Sequence, residues 1–178
     1  MITEKNKVAI DHSAEILADF RLVNRSRKAS IIGRREVLTG KAKFGIFGDG
    51  KELAQIAIAR AFQKGDWRSG YYRDQTWMMA LSLQSLEEFF AGLYANPDPK
   101  LEPHSGGRSM NNHFSTRIID EKGNWLRQVD LYNTSSDIAS TGAQMPRAVG
   151  LAYASVLYRK LESLKQFSDF SSNGNEVT

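Results

Sequence analysis

An arginine beside a tyrosine suits a diphosphate, and Tyr71-Tyr72-Arg73-Asp74 offers that pair between two helical stretches. The guanidinium presents a planar fork of donors that matches phosphate oxygens, and a phenol adds another donor. Each charge-assisted hydrogen bond of that kind contributes roughly 1.5–3 kcal/mol net. The same residues also admit a plainer arrangement, with Arg73 and Asp74 in a local surface ion pair and the tyrosines packed. A second set is Ser135-Ser136-Asp137-Ile138-Ala139-Ser140-Thr141-Gly142-Ala143-Gln144-Met145-Pro146. Small side chains let backbone come close to a flat ring whose edge free amides and carbonyls can read. A helix start capped by Ser and Thr is the alternative. His113, in Met110-Asn111-Asn112-His113-Phe114, offers an acid, a base or a substrate contact; a merely exposed loop histidine is the alternative. His104 shares its loop, and His12 lies near the amino end. No His, Asp and Glu spacing marks a protein metal site.

The elements that must position these residues read as mostly helical. Ile16, Leu17, Phe20 and Val23 recur at helical spacing and predict a helix over 11–24. Residues 30–47, broken by glycines and basic side chains, read as extended or irregular. A second helix starts at Asp49, its expected cap with Glu52 three residues on, and closes at Lys64-Gly65. Its apolar residues fall on more than one side: Leu53, Ile56, Ala57 and Ala61, then Ile58 and Phe62. A third begins at Ser85, where Glu88 completes a capping box, and stops at Asn96-Pro97-Asp98-Pro99. Residues 99–115 read as a long loop, which in a compact chain is usually functional. Residues 117–131 suggest a small hairpin. A last helix runs over 146–167 with a broad stripe that includes Met145, Val149, Tyr153 and Leu157, and a polar tail covers 168–178.

The 178 residues contain no cysteine, which excludes disulfides, thiolate metal sites and cysteine nucleophiles. A hydrophobic fraction of 41% supports a packed core, and no apolar run is long enough to span a membrane. Met1 to Asn6 is polar and does not read as a secretory signal, so a cytoplasmic location is expected. The net charge is +4, with a denser patch at Arg21, Arg25, Arg27, Lys28, Arg34 and Arg35. That patch reads as a solvated helix face or as a contact for an anionic ligand or partner. No zinc-finger spacing, aromatic RNA-binding signature or basic stripe points to nucleic acid.

Five segments, in order, resemble one family. They are Gly40-Lys41-Ala42-Lys43-Phe44, Gly50-Lys51-Glu52-Leu53-Ala54, Tyr72-Arg73-Asp74, Gly106-Gly107-Arg108-Ser109-Met110, and Gly142-Ala143-Gln144-Met145-Pro146 with the seven residues after it, through Tyr153, and Ala154. Over about residues 14–165 they are similar to the alpha subunit of the thiamine-diphosphate-dependent decarboxylating component of 2-oxoacid dehydrogenase complexes, pyruvate and branched-chain types included. The resemblance implies an α/β thiamine-diphosphate-binding fold, incomplete here, with this part predominantly helical, rich in long loops and poor in strands. It implies that 1–178 is the amino-terminal part of a single such domain, with 168–178 leading toward the metal motif.

The resemblance further implies that Tyr72 and Arg73 bind the diphosphate, that backbone at Ala139 and Thr141 holds the aminopyrimidine, and that His113 lies on a loop near the active-site entrance. The implied reaction decarboxylates a 2-oxoacid and passes the acyl group to lipoamide. The implied partners are a beta subunit or fused beta half, which carries the glutamate that activates the cofactor, and a lipoyl-bearing acyltransferase, in a homo- or hetero-oligomer. The departures are specific. Ile46 stands where pyruvate-type members carry a catalytic histidine, and branched-chain types also lack it. Residues 116–134 are longer than usual, and Thr141 replaces a common Val or Leu. Phe47-Gly48-Asp49-Gly50 looks like the opening of the magnesium motif, but its closing Asn-Asn comes too far downstream, at Asn111-Asn112. The magnesium ligands are therefore expected outside this chain, and the chain alone is expected to be an inactive fragment. The alternative is a non-catalytic helical scaffold or interaction domain.

Overall fold

A computed structural model describes residues 12–172 and 175–177. Asp11, the polar stretch before it, and residues 173, 174 and 178 of the tail lie outside the described residues. The elements in chain order are α1 (Ser13–Leu38), α2 (Glu52–Ala61), β1 (Trp67–Arg68), α3 (Gln75–Ala80), α4 (Leu86–Leu93), β2 (Asn133–Thr134) and α5 (Gln144–Lys160), with 3-10 turns at Gln128–Asp130 and Glu162–Phe167. The architecture is helix-rich, with one parallel strand pair in which Trp67 faces Asn133 and Arg68 faces Thr134.

The first helix is much longer than its apolar stripe. It continues through residues expected to be irregular and ends at Leu38, where Gly40 takes a left-handed φ of 75° and the amides of Lys41 and Ala42 return to the Glu36 carbonyl. The buried positions of α1 are Ser26, Ala29, Ser30, Gly33 and Glu36 rather than the apolar residues. A glycine within a helix costs about 1 kcal/mol relative to alanine. It is kept here because a Cβ on Gly33 would stand 2.4 Å from the Phe47 ring. Phe20, on the expected stripe, is 63% exposed.

Two apolar clusters flank α3. One gathers Ala29, Ala42, Phe47, Phe89 and Leu93, with Met79 against it. The other gathers Ala59, Phe62, Trp77, Met78 and Phe114. Between them lies a polar seam of two glutamines. Gln75 donates to the Ser26 carbonyl (3.2 Å) and to the Ser30 hydroxyl (2.9 Å), and its carbonyl accepts from Gly48 N–H (3.0 Å). Gln55, from α2, accepts from the amides of Thr76 (3.0 Å) and Trp77 (3.2 Å) and donates to the Arg73 carbonyl (2.9 Å). The orphan donors at the start of α3 are thus capped from another helix. This six-residue helix escapes a local reading of the sequence.

Asp49 does not cap α2. The cap position is Lys51, while Asp49 accepts from Arg34 at 2.7 Å. Glu52 instead takes the Gly50 amide and a two-pronged grip from Arg27 at 2.6 and 2.9 Å. The helix ends at Ala61, before Lys64-Gly65. Leu53 and Ile58 are exposed, and Ile56 and Phe62 are buried. Three cations of the basic patch are therefore held by carboxylates: Arg27 by Glu52, Arg34 by Asp49 and Arg35 by Glu36. That favours the solvated-face reading of the patch.

The start of α4 matches its sequence signature. Ser85 Oγ accepts from Glu88 N–H (3.1 Å), and the Glu88 carboxylate accepts from Ser85 N–H (2.7 Å). Ser85→Ala is expected to cost about 1 kcal/mol, read as a lower urea midpoint at unchanged slope. The expected hairpin over 117–131 reduces to one antiparallel bridge, Ile119 to Trp125, flanked by bonds from Asp120 N–H to the Asn124 carbonyl and from Leu126 N–H to the Ile118 carbonyl. The last helix breaks at Leu161, whose ψ of 123° is extended, and the remainder is a 3-10 turn. The α5 stripe faces outward, with Val149 71% exposed.

Candidate functional site

Arg73 sits on the turn between β1 and α3, and that turn is fixed from both sides. Gln55 holds the Arg73 carbonyl, and Gly48 packs so close that a Cβ there would meet this oxygen at 2.1 Å. Only glycine fits at such an approach. The alternative Arg73 to Asp74 ion pair does not form. Asp74 turns to Arg68 at 2.7 Å, and Arg73 has no carboxylate partner among the described residues. Its Nε is buried with no hydrogen-bond partner there. A desolvated donor left open normally costs free energy, which makes it a ready receptor for an incoming acceptor.

Around Arg73 the structure gathers residues from three loops. The guanidinium lies 4.9 Å from the Tyr71 ring centroid and 5.9 Å from that of Tyr72. The two phenols hydrogen-bond to each other. Tyr71 Oη is 3.3 Å from Thr141 Oγ1, which brings in the turn before α5. His113 stacks on Tyr72, with centroids 5.6 Å apart and rings 16° from parallel. Its Nδ1 is 3.0 Å from the Met110 carbonyl. Tyr72, Arg73, Thr141 and His113 therefore share one cluster. Ala139 lies exposed at the same turn, two residues before Thr141. Tyr71 is the member that sequence reasoning left without a role, although it is the link to Thr141.

The Thr141 hydroxyl, then Tyr72, then Arg73 hold the Tyr71 phenol below its ordinary value. The hydrogen bond with Tyr71 and then burial raise that of Tyr72. Beside Arg73 opens a cavity of about 290 Å³, walled by Arg34, Val37, Leu38, Ile46 and Phe47. Ile46 is anchored to the His113 loop, since its carbonyl accepts from both Asn111 and Asn112 at 2.9 Å.

The loop before His113 is organised by Glu102, which is 4% exposed. Its carboxylate accepts from the amides of His104 (3.1 Å), Ser105 (2.8 Å) and Gly107 (2.9 Å) and from the Ser105 hydroxyl (2.7 Å). Burial pushes its pKa up, but the donors, Gly107 first, outweigh burial and leave it below the ordinary value. A depressed carboxylate stabilises the fold fully above the unfolded pKa of about 4.3, and that contribution disappears as pH falls through the folded value. Glu102→Gln is therefore expected to lower the melting temperature at pH 7 and to converge on the parent under strongly acidic conditions. An equal loss at both pH values would contradict this role.

An arginine with an open donor, paired phenols and a polar turn from a second segment thus form one cluster between loops. The dehydrogenase E1 component family matches residues 21–159, well over half of the chain. The chain belongs to that family, whose members are thiamine-dependent components of 2-oxoacid dehydrogenases. Its helix-rich structure with a short parallel pair accords with this α/β fold class. No helix among the described residues is long and apolar enough to cross a membrane.

Proposed function

We propose that this chain is the alpha-type, cofactor-gripping part of a 2-oxoacid dehydrogenase, and that Arg73 with Tyr72 receives the diphosphate of thiamine diphosphate. The observation that carries this reading is the buried, unpartnered Arg73 Nε. It lies over two tyrosine rings and shares a cluster with Thr141 from the second loop. Backbone at Ala139 and Thr141 holds the aminopyrimidine, and His113 on Tyr72 borders the substrate path.

When bound, thiamine diphosphate supplies the electron sink for decarboxylation of the 2-oxoacid. The chain's own residues bind and orient. Arg73 directs N–H donors at phosphate oxygens, and Tyr72 adds a hydroxyl donor. The turn at 139–141, with small side chains, sets how closely the ring approaches. The Tyr72 and His113 rings stack along one flank of the cluster.

The residues present fit the organic cofactor but not its magnesium. No group of three or more His, Cys, Asp or Glu among the described residues is placed to hold a metal. Asp49, in the segment that looks like a magnesium motif, is occupied by Arg34. The metal ligands then come from elsewhere in the assembled enzyme, as does the beta half, and the acyl group passes to lipoamide on an acyltransferase. By the same reading, residues 1–178 form part of one cofactor domain. Without the metal to neutralise the diphosphate, this chain alone is inactive and binds the cofactor on the order of millimolar, from one or two charge-assisted bonds. Calorimetric titration with thiamine diphosphate and magnesium checks this. Micromolar or tighter binding by the isolated chain would contradict it.

A further inference from the structure

Arg68 is the most deeply buried charged residue of the described chain, at 0% exposure. Its guanidinium reaches three segments at once. Toward the Tyr71 turn it donates to Asp74 Oδ2 from Nη2 (2.7 Å) and Nε (3.2 Å), and from Nη2 to the Tyr71 carbonyl (3.0 Å). Toward the second loop it meets both oxygens of Asp137, at 3.0 and 3.1 Å. Toward β2 it donates to Thr134 Oγ1 at 2.6 Å. The same two carboxylates extend the web. Asp74 Oδ2 accepts from Tyr71 N–H (3.0 Å), and Asp137 Oδ2 accepts from Phe114 N–H (3.2 Å), immediately after His113. Trp77 and Phe114 lie 5.6 and 5.8 Å from the guanidinium carbon. Gly70 is required here, because a Cβ would fall 1.7 Å from that carbon.

We propose that Arg68 is a positioning residue that fixes the span between the diphosphate end of the site, Tyr71 to Arg73, and the ring-holding end, Ala139 to Thr141. The proposal rests on the thiamine-diphosphate reading given above. The geometry favours it over a purely local role. Asp74 and Asp137 belong to the two ligand loops, and one rigid, planar group reads both carboxylates. Lysine carries the charge but lacks the fork, so it can satisfy one loop and not both.

A ligand that bridges both ends depends on that span, whereas one that occupies only the phosphate end does not. The test compares affinities for thiamine diphosphate and for inorganic diphosphate, each with magnesium, in the assembled enzyme well below its melting temperature. For Arg68→Lys, thiamine diphosphate binding is expected to weaken by roughly tenfold or more, the scale of a small misplacement of a binding group. Inorganic diphosphate binding is expected to change by less than about threefold. Asp137→Asn, which keeps size and shape, is expected to shift the ratio in the same direction and keeps the proposal testable if Arg68→Lys does not fold. Equal weakening of both ligands, or a lower melting temperature with an unchanged ratio, would make Arg68 structural only and overturn the proposal. Failure of the thiamine reading is separately visible, as unmodified enzyme that binds neither ligand.

Discussion

Replacing Arg73 by alanine in the assembled enzyme is expected to weaken thiamine diphosphate binding by about one to two orders of magnitude. One lost charge-assisted hydrogen bond corresponds to roughly 1.5–3 kcal/mol, and every 1.4 kcal/mol is about tenfold in affinity. The effect falls on binding rather than on the fold, because Arg73 makes no ion pair among the described residues and Asp74 is secured by Arg68. Its Nε is already out of water in the free protein, so the ligand does not bear that desolvation. Arg73→Lys is expected to recover part of the loss, since the charge is kept and the planar fork is not. Tyrosine fluorescence quenching or calorimetry measures the affinity, and a thermal melt without cofactor serves as the control. Unchanged affinity in the alanine variant, with the fold intact, would remove Arg73 from the site.

Gln75→Leu is expected to produce the largest loss of stability outside the Arg68 web, about 2–4 kcal/mol. Gln75 is fully buried, and its amide serves as both donor and acceptor at the junction of α1, α3 and the Gly48 segment. Leucine has a similar size, so the change isolates the polar loss from a cavity. It leaves the Gly48 amide without its acceptor and the Ser30 hydroxyl without its donor. Asn112 also loses a 3.3 Å contact, although its bond to the Ile46 carbonyl remains. Because Gly48 presses on the Arg73 carbonyl, a shift of this seam reaches the Arg73 turn. Urea denaturation reads the stability. A midpoint within about 0.5 kcal/mol of the parent would show that the seam does not hold the fold.

Local chemistry was legible in the sequence, and long-range pairing was not. The capping box at Ser85 and Glu88 is visible because both bonds run within one turn. The Tyr72-Arg73 turn and the Thr141 turn are visible as ligand-suited compositions, and the structure brings them together through Tyr71. The length of α1 was hidden because its buried face is made of Ser26, Ala29, Ser30 and Gly33, small residues that leave no apolar period while allowing close approach. The helix α3 was hidden because its cap, Gln55, lies on α2. Arg68 carried no local sign of burial. Its partners Thr134 and Asp137 are more than sixty positions away, and only the parallel pairing of β1 with β2 brings them to it. The partner of Asp74 was hidden for the same reason, since the nearest cation in sequence is not the one it pairs with in space.

A structure of the assembled enzyme with thiamine diphosphate and magnesium bound is the most direct measurement. It is expected to place a diphosphate oxygen within hydrogen-bond distance of the Arg73 guanidinium, with the pyrimidine against the backbone of Ala139 and Thr141. A cofactor bound away from this cluster, with Arg73 contacting no part of it, would contradict the account.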